Sequence, residues 1–256
     1  MWGTGASDDE TIPSIYAKKT KSKVYNFGES GWTSRHSLNM FMNALVDKHK
    51  PKKVIFYDGV NDIVAGCRVE NNIIPASAQE SGIRSNLRNG IFSKFVSSFY
   101  SWIISPLDFI ESRFLISSKK LFINKGYNCT DTNKSEKIIN NLIQNWHSAY
   151  LLSKSVNADF LAILQPNRWT SNSPQDYIKD PNSPLVKESL TYIYPLLQRR
   201  INNTCLESYS KDFCSKIVDG TSWTNSNEPL YFDFCHLSNR GNELVTNEII
   251  NKLDKN

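Results

Sequence analysis

The chain has 256 residues, 39% hydrophobic and 21% charged, with a formal net charge of +5. That balance suits one mid-sized globular domain with a substantial core and excludes a disordered or low-complexity chain. The densest basic cluster, Lys18, Lys19, Lys21 and Lys23, lies at the end of a predicted helix, where cations complement the helix dipole; it is not read as a nucleic-acid or membrane patch. The longest apolar stretch, residues 92–104, carries serines and a lysine and is too short to cross a bilayer. A polar stretch over residues 4–10 follows Met1 directly, which is not the pattern of a cleavable signal.

Residues 23–28 (KVYNFG) are rich in β-formers and end in glycine, which predicts a short buried strand. Residues 34–50 carry Leu38, Phe41, Met42 and Leu45 at helical spacing, with Thr33 or Ser34 placed as N-cap. Residues 53–58 (KVIFYD) form a near-continuous apolar run, as in a strand buried on both faces of a parallel sheet. Residues 159–165 (DFLAILQ) repeat that character, and residues 216–220 (KIVDG) do so more weakly. Helices are predicted over 135–157, from 184 to about 209, and from about 238 to 253. Strands and helices in alternation indicate an α/β fold with a parallel sheet. Residues 66–133 break this rhythm, with few clear strands and with Phe92, Phe95, Phe99, Tyr100 and Trp102 close together. They read as an insertion over the sheet's carboxyl edge, either a lid or substrate wall or an excursion with a small core of its own.

The five cysteines are Cys67, Cys129, Cys205, Cys214 and Cys235. None forms a CxxC pair and no two histidines have metal-ligand spacing, so neither a metal nor a cofactor is expected. Cys205 and Cys214 bracket a short polar loop, and the spacing is compatible both with a disulfide in an oxidising compartment and with two nearby thiols. An odd total leaves at least one cysteine outside any pair.

Three short segments at the predicted sheet edge carry chemistry, where open α/β sheets place their ligands. In the first, residues 26–33 (NFGESGWT), glycines allow close approach of a ligand and the helix start offers N–H groups to negative charge. The second is Gly59-Val60-Asn61-Asp62, whose carboxamide can donate to an oxyanion, although Asn and Asp are also ordinary turn residues. In the third, Asp233-Phe234-Cys235-His236, the spacing can bring a carboxylate to the imidazole Nδ1 and leave Nε2 as a general base. Of the four histidines only His236 has such a carboxylate; His36 and His147 lie on helical patterns and His49 ends a helix.

Together these segments resemble the SGNH (GDSL-type) hydrolase family over nearly the whole chain apart from the insertion. The resemblance implies a three-layer α/β sandwich with a parallel sheet, flavodoxin-like, as one domain over residues 1–256 with the insertion at about 66–133. It implies Gly31 and Asn61 as oxyanion-hole donors, Asp233 as orienting carboxylate, His236 as base, and no cofactor or metal. Wording such as TIPSIYAKK, VIFYDGVND and FDFCHLSNRGN resembles a bacterial branch often found near surface-polysaccharide genes. That implies a small acyl ester or an acylated glycan as substrate, with O-acetyl the leading candidate and no nucleic-acid partner. The oligomeric state is left open, and the cysteine pair tilts the localisation toward the periplasm or cell surface.

The family's serine follows its first strand, and residues 1–6 (MWGTGA) resemble what comes after that serine. The nucleophile and first strand are therefore expected just before Met1, and this chain alone is expected to be inactive. A buried strand of roughly six apolar residues contributes on the order of ten kcal/mol, so the chain without it is also expected to be poorly stable. Ser7 is the nearest serine present, but it reads better as a loop residue, with Ser7, Asp8 or Asp9 capping the next helix; Ser30 and Ser34 flank the turn. Beside the esterase stand an acyl transferase using the same residues and a binding module that lost its nucleophile.

Overall fold

The apolar runs become strands because side chains of both parities need burial, which only a sheet covered on both faces provides. The structure, a computed structural model, describes residues 4–68, 71, 80, 83, 128–178 and 184–254. Strand β1 (Lys53–Asp58) pairs in parallel with β2 (Asp159–Leu164), from Lys53 opposite Asp159 to Asp58 opposite Leu164. Strand β3 (Ile217–Asp219) pairs in parallel with the other edge of β2, giving the order β1-β2-β3. The chain is thus mixed α/β with a small open parallel sheet.

Helix α1 (Ile12–Thr20) leads to α2 (Ser34–Val46), and α3 (Val60–Cys67) follows β1 directly. Helix α4 (Thr132–Ser155) precedes β2, and α5 (Pro184–Arg199) follows it. Short helices α6 (Cys205–Ser208) and α7 (Lys211–Ser215) come before β3, and α8 (Asn239–Asp254) closes the described chain. Phe160, Ala162 and Leu164 of β2 join a core with Phe41, Phe56, Ile63, Ile138, Trp146, Leu190 and Tyr194. The alternate residues Leu161 and Ile163 join a second core with Ile12, Tyr16, Leu230, Val245 and Ile249. The period of two along one strand therefore feeds helices on both sides of the sheet.

Several expectations need correction. Residues 23–28 are not a strand: they lie outside the sheet, with Tyr25 and Phe27 exposed and their rings stacked at 6.2 Å. A β-forming run becomes a strand only beside another strand, and among the described residues β1 pairs on one edge alone, with β2. Helix α2 stops at Val46 rather than residue 50, because Lys48 turns left-handed (φ 64°) and the His49 N–H closes back on Ala44 O. The helix expected over 184–209 widens into a π turn at Arg200–Thr204, just past Pro195, whose missing N–H weakens the preceding ladder. Ser7 stands at the N-cap of a single 3₁₀ turn (Asp8–Glu10), its Oγ bonding Asp9 and Glu10, while α1 itself is capped by Thr11, which accepts from Ser14 N.

Two disulfides are present, Cys205–Cys214 and Cys67–Cys129. The second, at a sequence separation of 62, joins the end of α3 to the approach to α4, where Asn128 N also donates to Cys67 O. The aromatic cluster Phe92, Phe95, Phe99, Tyr100 and Trp102 lies outside the described residues.

Helix α4 is tied to the end of β1 by a buried bond, in which Trp146 Nε1–H donates to Asp58 Oδ2 at 3.0 Å. Trp146 is fully buried, and among the described residues the other side chain on this carboxylate is Ser37, donating at 3.1 Å. Replacing Trp146 by Phe deprives a buried carboxylate of a donor, and we expect unfolding free energy to drop by about 2–4 kcal/mol. Urea titration of both proteins checks this; an unchanged midpoint would show the bond to be energetically idle.

Candidate active site

Past the carboxyl ends of β1 and β2 lies a cleft of about 120 Å³, lined by Gly28–Trp32, Ser37, Tyr57, Asp58, Asn61, Gln165 and Cys235–Leu237 among others. All four residues singled out in the sequence bear on it: Gly31, Asn61 and His236 line it, and Asp233 holds His236.

The Asp233 loop is shaped by its own carboxylate. Residues 231 and 237 form an antiparallel bridge, and Phe232 N donates to His236 O at 2.9 Å, so the loop turns back on itself. Asp233 Oδ1 accepts from Cys235 N (2.9 Å) and His236 N (2.8 Å), an Asx-type closure. Its second oxygen, Oδ2, lies 2.6 Å from His236 Nδ1. That contact assigns the ring proton to Nδ1 and makes Nε2 the basic nitrogen. Gln165 Nε2 donates to Cys235 O (3.4 Å) and Arg168 N to Phe234 O (3.0 Å), pinning the loop to the end of β2. Trp169 stacks on Phe234 with centroids 6.0 Å apart. Burial pushes the Asp233 carboxyl up, but the bonds from the His236 ring and the two backbone N–H groups outweigh it and hold the carboxyl below its usual range.

Gly31 has φ 75°, a left-handed conformation that favours glycine, and sits in a turn where Trp32 N reaches Glu29 O at 3.5 Å. Asn61 lies in the first turn of α3, behind Gly59, whose φ of 130° again requires glycine; a Cβ there would meet Leu164 Cδ1 at 2.7 Å. Asn61 Nδ2 donates to Trp32 O at 2.9 Å, which ties α3 to the Gly31 turn. Its second N–H is not engaged by another described residue. Ser34, one of the alternative serines, is fully buried and bound to Asp62, while Ser30 lines the cleft. Among the described residues no hydroxyl hydrogen-bonds the His236 ring.

The sequence reading missed four contributors: Asp58, Ser37, Gln165 and Tyr57. The Tyr57 hydroxyl is buried without a hydrogen-bond partner among the described residues, and burial raises its phenol well above the ordinary value. Only Asp58 had a local signal, as a carboxylate ending an apolar strand. The others look like ordinary strand and helix residues until the chain folds.

Asp233, Cys235 and His236 bring a carboxylate oxygen, a thiol and a ring nitrogen within 4.8 Å of one another, a set that histidine spacing did not suggest. Tetrahedral zinc at about 2.0–2.1 Å from each ligand sets O and N roughly 3.3 Å apart. The 2.6 Å Asp233–His236 contact is therefore a hydrogen bond, and an ion would have to open it.

Compared with protein-family models and with curated proteins, the chain matches none. What it does is therefore argued from its residues and their geometry.

The lowered Asp233 carboxyl has a consequence for acid stability. A carboxylate depressed in the folded state contributes stability above its unfolded value near 3.9, lost as pH falls through the folded value. Denaturant titrations of the chain and of its Asp233→Asn variant should therefore differ most at pH 5–7 and converge once pH falls below the folded-state value. A gap that is constant with pH would mean that the carboxylate charge is not what the loop uses.

Proposed function

We propose that this chain belongs to a serine ester hydrolase of the SGNH type, with that family's flavodoxin-like sandwich as its fold. The observation that carries the reading is the 2.6 Å Asp233–His236 contact opening on the same cleft as Gly31 and Asn61. A base, its orienting carboxylate and two candidate donors meeting in one cleft are the parts that acyl transfer needs beside a nucleophile.

In the proposed reaction a serine hydroxyl, placed by the sequence resemblance just before Met1, adds to the ester carbonyl while His236 Nε2 takes its proton. The carbonyl oxygen becomes an oxyanion, held by the Gly31 N–H and the second N–H of Asn61. Collapse of the adduct breaks the bond to the alcohol, which leaves with the proton from His236. Water then attacks the acyl-serine with His236 again as base, releasing the acid and restoring the hydroxyl. Asp233 stays ionised and stabilises the imidazolium formed in each half. The sequence resemblance favours a short acyl group such as acetyl. An acetylated glycan, whose sugar stays outside the cleft, is the substrate class we favour, at the periplasm or cell surface where disulfides persist.

Protein produced with the codons upstream of Met1 should hydrolyse p-nitrophenyl acetate. His236→Ala should lower kcat by about 10³–10⁴-fold and Asn61→Ala by about 10²–10³-fold. An extended protein as inactive as its His236→Ala variant would overturn the proposal. That outcome would favour a second reading, a binding module on a hydrolase fold, motivated by the lack of any hydroxyl on His236 among the described residues.

A further inference from the structure

Asp62 follows Asn61 on α3 and is almost completely buried, at 1% exposure. Both its oxygens lie 3.1 Å from Ser34 N, the first N–H of α2, and Oδ1 accepts from Ser34 Oγ at 2.5 Å. Ser34 Oγ in turn accepts from Asn145 Nδ2 of α4 at 2.9 Å. Its own hydrogen is thereby directed at Asp62, so Ser34 presents two donors to one side chain. A carboxylate accepts both as a full charge, whereas a protonated acid keeps acceptor capacity but loses the charge that strengthens these bonds, and an amide sets an N–H against the Ser34 N–H. Adjacent residues of α3 thus grip one short segment: Asn61 holds Trp32 O and Asp62 holds Ser34. Gly31 immediately precedes that segment.

We propose that Asp62 is the positioning residue of the cleft: acting through Ser34, its carboxylate sets the Gly31 turn against Asn61, and its protonation releases that turn. This deepens the hydrolase reading and rests on it for its catalytic consequence. The geometry makes the spacing of the two donors depend on a buried charge rather than on either donor alone. Donors aimed at a developing oxyanion lose effect steeply with misplacement, so loosening the turn lowers turnover more than substrate binding.

The surroundings make this charge titrate in a useful range. Burial, then repulsion from Asp58, raises the Asp62 carboxyl to about 7, against the opposing pull of the Ser34 bonds. Among the described residues, the ionisable groups that reach it are Asp58 from β1 and the Tyr194 phenol from α5, while Ser34 of α2 and Asn145 of α4 are neutral. Asp58 is itself raised by burial against the bonds from Trp146 and Ser37. A carboxyl raised in the folded state adds stability at low pH and loses it as pH climbs from about 4 to about 7. The clamp therefore engages in the range where it costs the fold stability.

The test uses the chain as it stands, with isotope-labelled protein followed by amide NMR against pH. We expect the Gly31 and Trp32 amides to shift with a midpoint near 7, and this titration to vanish in Asp62→Asn. Relative to the parent, Asp62→Asn should gain Tm as pH rises from 4 to 7, because only the parent loses stability as the Asp62 carboxyl ionises. Ser34→Ala, which keeps the carboxylate but removes one donor, should shrink the Gly31 shift and covers the case in which Asp62→Asn does not fold. In the upstream-extended protein, Asp62→Asn should lower kcat about 10–100-fold at pH 8 with KM within about twofold. A Gly31 amide that does not titrate, or titrates equally in Asp62→Asn, overturns the positioning role whether or not the protein is an esterase. Conversely, Gly31 titration together with an upstream-extended protein that lacks activity would sink the esterase reading and leave the clamp intact.

Discussion

A carboxylate taken out of water loses several kcal/mol of hydration, and it is kept only where donors are built around it. Two such carboxylates, Asp58 and Asp62, stand four residues apart at the top of β1 and in the first turn of α3, and much of the surrounding structure is their solvation. Trp146 brings α4 to Asp58, Ser37 brings α2 to the same group, and Ser34 brings the start of α2 to Asp62. Each bond satisfies a polar group and fixes a helix, so two helices, α2 and α4, are registered on the end of β1 and the start of α3. The helix that Asp62 caps from outside begins right after the Gly31 turn, and the geometry of the cleft follows from that placement.

The other wall of the cleft uses one carboxylate in the opposite sense. Asp233 is partly exposed, and it is held ionised by hydrogen bonds rather than driven toward neutrality by burial. With one oxygen it closes its own loop, and with the other it orients the His236 ring. Removing it therefore perturbs loop and ring together. The two walls divide the work: the Asp58 and Asp62 side places N–H donors, and the Asp233 side places a base.

The disulfides reinforce this division. Cys67–Cys129 fastens the far end of α3 to the approach to α4, the two helices that deliver Asn61 and Trp146. Cys205–Cys214 closes the irregular stretch between α5 and β3, away from the cleft. Cys235 lies between Asp233 and His236, buried and outside both bridges.

The sequence alone determined the strands at 53–58, 159–164 and 217–219 to within a residue or two, because apolar runs bracketed by polar residues leave little choice of period. It also left Asp233 and His236 within reach of each other, since only two residues separate them, and the structure brings them to 2.6 Å. Residues 23–28 failed as a strand for a related reason: β-propensity is realised only against a neighbour, and none of the described strands lies beside them. The Cys67–Cys129 bridge and the capping of α2 by Asp62 have no local signature, because their partners lie 62 and 28 residues apart. Tyr57 and Gln165 were invisible for the same reason. Only the tertiary structure decided which polar groups face one another in the cleft, because hydrogen-bond partners are chosen by packing, and packing is settled by the whole core at once.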